Sequence, residues 1–293
     1  MGSTFGSVIV GSLAQGSLYA LVAAGFVVLF RATGVINFAQ GAFMVLGAFI
    51  FYTLNSNYRL NIYVALALTM VAMALIAAVI YFVAFRRLVG AAPFTMVIAT
   101  LGLAVILQTV TVLIWGPDLR ALPVVLDIRP RWEFAGFAVA PLDLFAIVMS
   151  LLLIGLLSLG LRKSRIGTRM RAVADNTLLA GFVKIPVHWI SALAWSIAAA
   201  CAAAAGVAFA LRTALDPIQL QGFGLVAFAA VLLGGLDSIG GALLGGFALA
   251  LIQNLAVRTL GGNWADVAAY VVLLAVLLSR PQGLLGSRQV VRL

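Results

Sequence analysis

Nine apolar segments succeed one another along the chain, at roughly 7–30, 40–54, 62–85, 94–114, 142–161, 188–211, 222–235, 241–257 and 265–279. Charged residues are confined to the stretches between and at the edges of them. An apolar segment of about 20 residues is long enough to cross a hydrocarbon core as a helix, which pairs every backbone group within itself. The second, seventh, eighth and ninth segments are short for a full crossing. The pattern therefore predicts an all-α fold: a polytopic transmembrane helical bundle of about 8–9 membrane segments, some of them broken or re-entrant. No stretch has the make-up of a separate soluble unit, so residues 1–293 read as a single transmembrane domain.

Composition sharpens this. The chain is 65% hydrophobic and only 9% charged, with a mean hydropathy of +1.20. Eight acids and 18 bases cannot clothe a soluble surface, since soluble domains are about 25% charged. A soluble enzyme, a disordered chain and a disulfide scaffold are excluded. A single cysteine, Cys201, and a single histidine, His188, leave no basis for a disulfide or a Cys/His metal cluster. Neither lysine, Lys163 or Lys184, ends a GxxxxGK[ST] phosphate loop, so the chain carries no ATPase motif of its own. Residues 1–7 lack a positive n-region, and the first apolar segment outlasts the h-region of a signal peptide. A retained helix is the expectation.

The net charge of +10 is explained by a one-sided membrane protein without invoking nucleic acid. Assigning 31–39, 86–93, 162–187, 236–240 and 280–293 to the cytoplasm places twelve bases there against Asp175 and Asp237. The opposite side holds six bases and six acids. The whole excess lies on one face, which by the positive-inside rule predicts an external N-terminus and a cytoplasmic C-terminus. The outer loop at 115–141 is expected to form a short interfacial cap, from its Trp115-Gly-Pro, Leu122-Pro and Arg129-Pro-Arg-Trp pieces.

Three polar features carry candidate chemistry. The inner loop 162–187 has Ile166, Met170, Val173, Leu178 and Leu179 at helical spacing, with Arg169, Arg171 and Asp175 interleaved. It predicts a pair of short amphipathic helices. These lie either on lipid headgroups or, given the small residues Ala172, Ala174, Ala180 and Gly181, in a protein groove. Arg31 to Gly41 places Gly34, Asn37 and Gln40 inside an apolar region. That points to broken helix at membrane depth, tolerated only where protein or a water-filled cavity covers it. It is either a solute gate or an interhelical turn. In the fourth segment Thr100, Gln108 and Thr111 fall within roughly an 80° arc. They line a path or join helices. Gly241 and Gly245 form a GxxxG pair suited to close helix packing. No catalytic constellation exists, and no paired aspartates lie within the segments. That disfavours an intramembrane enzyme and a carboxylate-coupled pump.

Taken in order, Gly16-Ser-Leu-Tyr-Ala-Leu, Val35-Ile-Asn-Phe-Ala-Gln-Gly, Ala99-Thr-Leu-Gly-Leu with Leu107-Gln108, Gly167 to Ile185, Gly234-Gly-Leu-Asp-Ser-Ile-Gly-Gly-Ala and Arg280-Pro-Gln-Gly-Leu-Leu-Gly resemble the inner-membrane permease family of bacterial ABC importers for branched-chain amino acids. The resemblance implies a permease domain that forms the path for branched-chain or related amino acids in a multi-pass bacterial inner-membrane complex. It implies a second homologous permease, two cytoplasmic ATPase subunits and an external or periplasmic substrate-binding protein as partners. ATP is then used by those partners, and this chain needs no cofactor or metal. Asn37, Gln40, Thr100 and Gln108 are the candidate path residues. Gly167, Arg171, Ala172, Asp175, Asn176 and Ala180 are the candidate ATPase contacts. Two alternatives stay open: an amide- or urea-type ABC permease, and a self-sufficient secondary transporter or facilitator. Among the departures from the family pattern, Lys184 stands where a Gly usually ends the inner-loop helix. Loss of the left-handed cap is expected there.

Overall fold

The structure, a computed structural model, describes residues 2–122, 132–134 and 137–286. Its helices are α1 (Gly2–Thr33), α2 (Gln40–Tyr52), α3 (Ile62–Val83), α4 (Pro93–Trp115), α5 (Pro141–Lys163), α6 (Arg165–Asp175), α7 (Thr177–Phe182), α8 (Val187–Arg212), α9 (Pro217–Gly234), α10 (Ile239–Thr259) and α11 (Ala265–Ser279). A small antiparallel ribbon pairs β1 (Trp132–Phe134) with β2 (Phe137–Val139). Eight helical stretches among the described residues are long and apolar enough to cross a membrane. The protein is a polytopic helical bundle, as the apolar pattern predicts. The second of the nine predicted segments forms α2, which has only 13 residues. Part of the predicted interfacial cap, residues 123–131, 135 and 136, lies outside the described residues, as do Arg288 and Arg292.

Two helices form the axis. The apolar windows of α1 and α8 are 83% and 72% buried, against 11% to 28% for α3, α4, α5 and the stretch ending in α11. The reason lies in side-chain size. α8 is alanine from 198 to 205 except at Cys201, and every residue of that run but Ala200 is buried. Lipid tails are as apolar as leucine, so helices in a bilayer are held by close packing rather than by exclusion of water. An alanine surface lets α1, α2 and α3 all pack along α8. The outer helices instead expose large side chains such as Leu75, Val79, Leu113 and Leu156.

Gly241 and Gly245 serve packing. A Cβ at Gly245 would meet the Ala230 carbonyl oxygen at 2.1 Å, and one at Gly241 would meet that of Gly234 at 2.3 Å. α10 thus crosses α9 backbone to backbone. The Arg280-Pro-Gln-Gly-Leu piece folds back on the same turn: the N–H groups of Leu284 and Leu285 donate to the carbonyls of Leu233 and Gly234, both at 2.9 Å.

One expectation is corrected. The left-handed residue after α7 is kept, although it is Lys184 (φ +60°) rather than glycine. Lys184 N–H donates to Gly181 and Ile185 N–H donates to Ala180, both at 3.0 Å. The helix end is closed by these bonds, and the lysine bears the steric cost that glycine would avoid.

Candidate functional site

The predicted break follows α1. Gly34, with φ +68°, ends that helix, its N–H donating to Phe30 at 2.8 Å. Thr33 Oγ1 donates to the Leu29 carbonyl and accepts from Val35 N–H. Residues 35–37 then run without helical structure. Asn37 Oδ1 accepts from Ala39 N–H at 3.0 Å, a local turn that starts α2. Exposed backbone at this depth needs a partner, and Thr100 of α4 supplies one: its Oγ1 accepts from Phe38 N–H at 3.2 Å.

The depth of the break is fixed by its neighbours. Gln40 Nε2 donates to the Ala198 carbonyl, halfway along α8, at 2.9 Å. A Cβ at Gly25 of α1 would press on the same Gln40 amide. At its other end α2 reaches the terminus of α4, where Trp115 Nε1 donates to Thr53 Oγ1 at 2.8 Å. So α2 starts at mid-bundle and covers only half the thickness. Its N-terminal residue Ala39 offers no side-chain cap. The positive end of the helix dipole therefore lies within the bundle.

Asn37 is 1% exposed and Gln40 is fully buried, yet among the described residues Asn37 Nδ2 and Gln40 Oε1 have no hydrogen-bond partner. Unpaired buried groups of this kind cost about 1–3 kcal/mol each and are unusual unless a function uses them. The structure brings Asn37, Gln40 and Thr100 together at the break. Gln108 lies two turns beyond Thr100, half-buried, and among the described residues it makes no hydrogen bond to this group.

A cavity of about 250 Å³ adjoins the break. One wall is the backbone turn itself, Thr33 to Ile36. Another is formed by Val173 of α6 and Thr177, the first residue of α7, and a third by Tyr81, Ser191 and Trp195. The predicted amphipathic pair thus borders directly on the broken segment.

That pair is built by two caps. Ser164 Oγ accepts from Gly167 N–H at 3.2 Å, and Asn176 Oδ1 accepts from Leu179 N–H at 3.0 Å. Among the predicted contacts, Arg171, Asp175 and Asn176 are exposed and Ala172 is half-buried. Gly167 and Ala180 face inward. A Cβ at Gly167 would meet the Leu161 carbonyl oxygen at 1.8 Å, and Ala180 is 3% exposed. The outward face of α7 is instead large and apolar: Leu178 and Phe182 are 78% and 82% exposed, with Leu179 and Val183 beside them.

The family profile described as branched-chain amino acid transport system, permease component, matches residues 8–277. The permease protein BraD of the Pseudomonas aeruginosa high-affinity branched-chain amino acid transport system is 31% identical over 96% of both chains. LivH of Escherichia coli, from a system of the same description, is 29% identical over 94% of this chain and 93% of its own length. The autoinducer 2 import permease LsrC of Salmonella paratyphi B is 30% identical over 62% of this chain and 53% of its own. No solved structure matches.

Proposed function

Since the chain belongs to the family of branched-chain amino acid transport permease components, and its relatives are transport components rather than enzymes, we propose that it forms the membrane path of an ATP-driven importer. The solute is a branched-chain or related amino acid, delivered by an external binding protein. A second, homologous permease completes the path, and two cytoplasmic ATPases drive it.

The observation that carries this reading is the shared cavity between α6–α7 and the break. An ATPase that docks on Leu178, Leu179, Phe182 and the neighbouring Arg171 and Asp175 moves Val173 and Thr177. Those two residues touch the same space as Thr33 to Ile36. The motion reaches the mid-bundle start of α2 in one step, without a relay through the bundle. Asn37 Nδ2 and Gln40 Oε1 then act as the polar groups that a solute meets on passing. Thr100 holds the backbone open beside them. Gln108 lies further along the same helix as a later contact.

The experiment is leucine uptake by cells making the complete set of subunits. Uptake should require the delivery protein and should stop when the ATPase is inactivated. Uptake by this chain without any ATPase would instead make it a self-sufficient facilitator or secondary transporter.

A further inference from the structure

At the end of the bundle remote from α6 and α7, five polar side chains from α1, α10 and α11 form one connected relay. Asn254 Nδ2 donates to Gln15 Oε1 at 3.0 Å. Gln15 Nε2 donates to Tyr19 Oη and to Gln253 Oε1, both at 3.0 Å. Tyr19 Oη donates to Gln253 Oε1 at 2.9 Å. Gln253 Nε2 donates to Asp266 Oδ1 at 2.8 Å. Each of these side-chain hydrogen bonds points down the series, Asn254 Nδ2 also donating to the Ala250 carbonyl, and the series ends on a carboxylate, which only accepts. The relay holds the carboxylate in place at the rim of a cavity of about 360 Å³.

That cavity has two unlike sides. Phe209, Phe223 and Val257 supply an apolar wall, and Gln219, Asn254 and Asp266 supply polar groups. The aromatic wall is stiff, because Phe223 is stacked on Tyr19 with centroids 4.3 Å apart and contacts Phe209 at 4.5 Å. Among the described residues that line the space, Asp266 is the one carboxylate. A few convergent polar groups beside an apolar wall is the usual make-up of a small-molecule site, and the volume is within the usual range of about 300–1,000 Å³.

We propose that this cavity is an entry subsite that takes the ammonium group of a small amino acid on Asp266, with the hydrocarbon side chain of the solute against Phe209 and Phe223. Gln253 is a positioning residue: it is largely buried in the cavity wall, and its Nε2 is spent on orienting the Asp266 carboxylate. The assignment rests on the reading of the chain as an amino-acid permease and adds the group that is recognised and where. An ammonium can also come from the headgroup of phosphatidylethanolamine, so the test separates the two sources.

The test measures retention of radiolabelled leucine by the assembled complex without its delivery protein, in nanodiscs of phosphatidylglycerol. Leucine should be retained saturably. Leucinamide, which keeps the ammonium, should compete. 2-Hydroxy-4-methylpentanoate, which lacks it, should not. Asp266→Asn should weaken retention at least tenfold. Adding phosphatidylethanolamine to the disc should leave retention unchanged. The analogue pattern is read on the wild-type complex, so it decides the matter even if the Asp266 variant does not assemble. No saturable retention, equal competition by the hydroxy acid, unaltered retention in the variant, or loss of retention with phosphatidylethanolamine overturns the subsite. Leucine uptake is read separately in whole cells: uptake without retention removes the subsite and leaves the importer standing, whereas absent uptake counts against the importer.

Discussion

Gln40 Nε2 lies 2.9 Å from the Ala198 carbonyl oxygen, while Oε1 of the same side chain is buried and unpaired. One half of the amide anchors α2 to the axis of the bundle, and the other half is kept polar for no structural gain. Replacing Gln40 by Leu keeps the volume, and forfeits one hydrogen bond while relieving the unpaired oxygen. The two effects are each about 1 kcal/mol and oppose one another. We therefore expect Gln40→Leu to reach the membrane at normal abundance and to lose roughly tenfold in uptake, a change worth about 1.4 kcal/mol in the barrier. Wild-type uptake in this variant would reduce Gln40 to an anchor.

Lys184 sits at φ +60°, a conformation that costs a non-glycine residue about 1 kcal/mol or more. Lys184→Gly should raise the thermal midpoint of the purified protein, because it relieves that strain and keeps the backbone bonds that close α7. Lys184→Ala removes the same charge and keeps the strain, so its midpoint should not rise. If both variants gain equally, the lysine charge rather than the backbone is the source of the cost.

How far the sequence foretells this molecule depends on the kind of force at work. The long helices are legible because burial in lipid demands long apolar runs, and their ends carry capping residues such as Asp216 and Ser238. The break at Gly34 is legible too, because glycine and amides are out of place in an apolar run. The half-length of α2 is not. It follows from Gln40 meeting α8 at Ala198 rather than near its end, a tertiary fact. The inward orientation of Ala180 is likewise hidden: small residues suit a groove and a crowded helix contact equally well. The relay through Gln15, Gln253 and Asp266 joins residues about 240 positions apart. Its one local trace is the adjacent pair Gln253-Asn254 inside an apolar segment.

The inward placement of Ala180 changes where bulk and charge should matter. Trp at position 180 has no room against the bundle and should lower the abundance of the permease itself. A charge on the exposed tip should not. Phe182→Glu and Leu178→Glu alter side chains that are 82% and 78% exposed, so insertion and folding should be normal. If α7 fills an ATPase groove, both variants lose the ATPase on copurification, and solute-stimulated hydrolysis falls with it. If α7 only rests on lipid, the ATPase stays bound in both. That second result would move the docking surface elsewhere on the inner face.

Orientation follows from charge alone and is open to a direct chemical test. Moving bases across a membrane is disfavoured, and the bias counts most in short loops close to helix ends. Lys163 at the end of α5 is exposed and belongs to the most basic stretch of the chain. Thr213 follows α8 at the opposite end and is exposed as well. Cys201 is buried, so it should be inert to reagents in water, and Cys201→Ala gives a clean background at little cost in a run of alanines. In that background, Thr213→Cys should react with an impermeant maleimide added outside intact cells. Lys163→Cys should react only after the cells are opened. The reverse pattern would invert the bundle: α6 and α7 would face outward, where no ATPase reaches them, and the cavity beside Asp266 would open to the cytoplasm as an exit rather than an entrance.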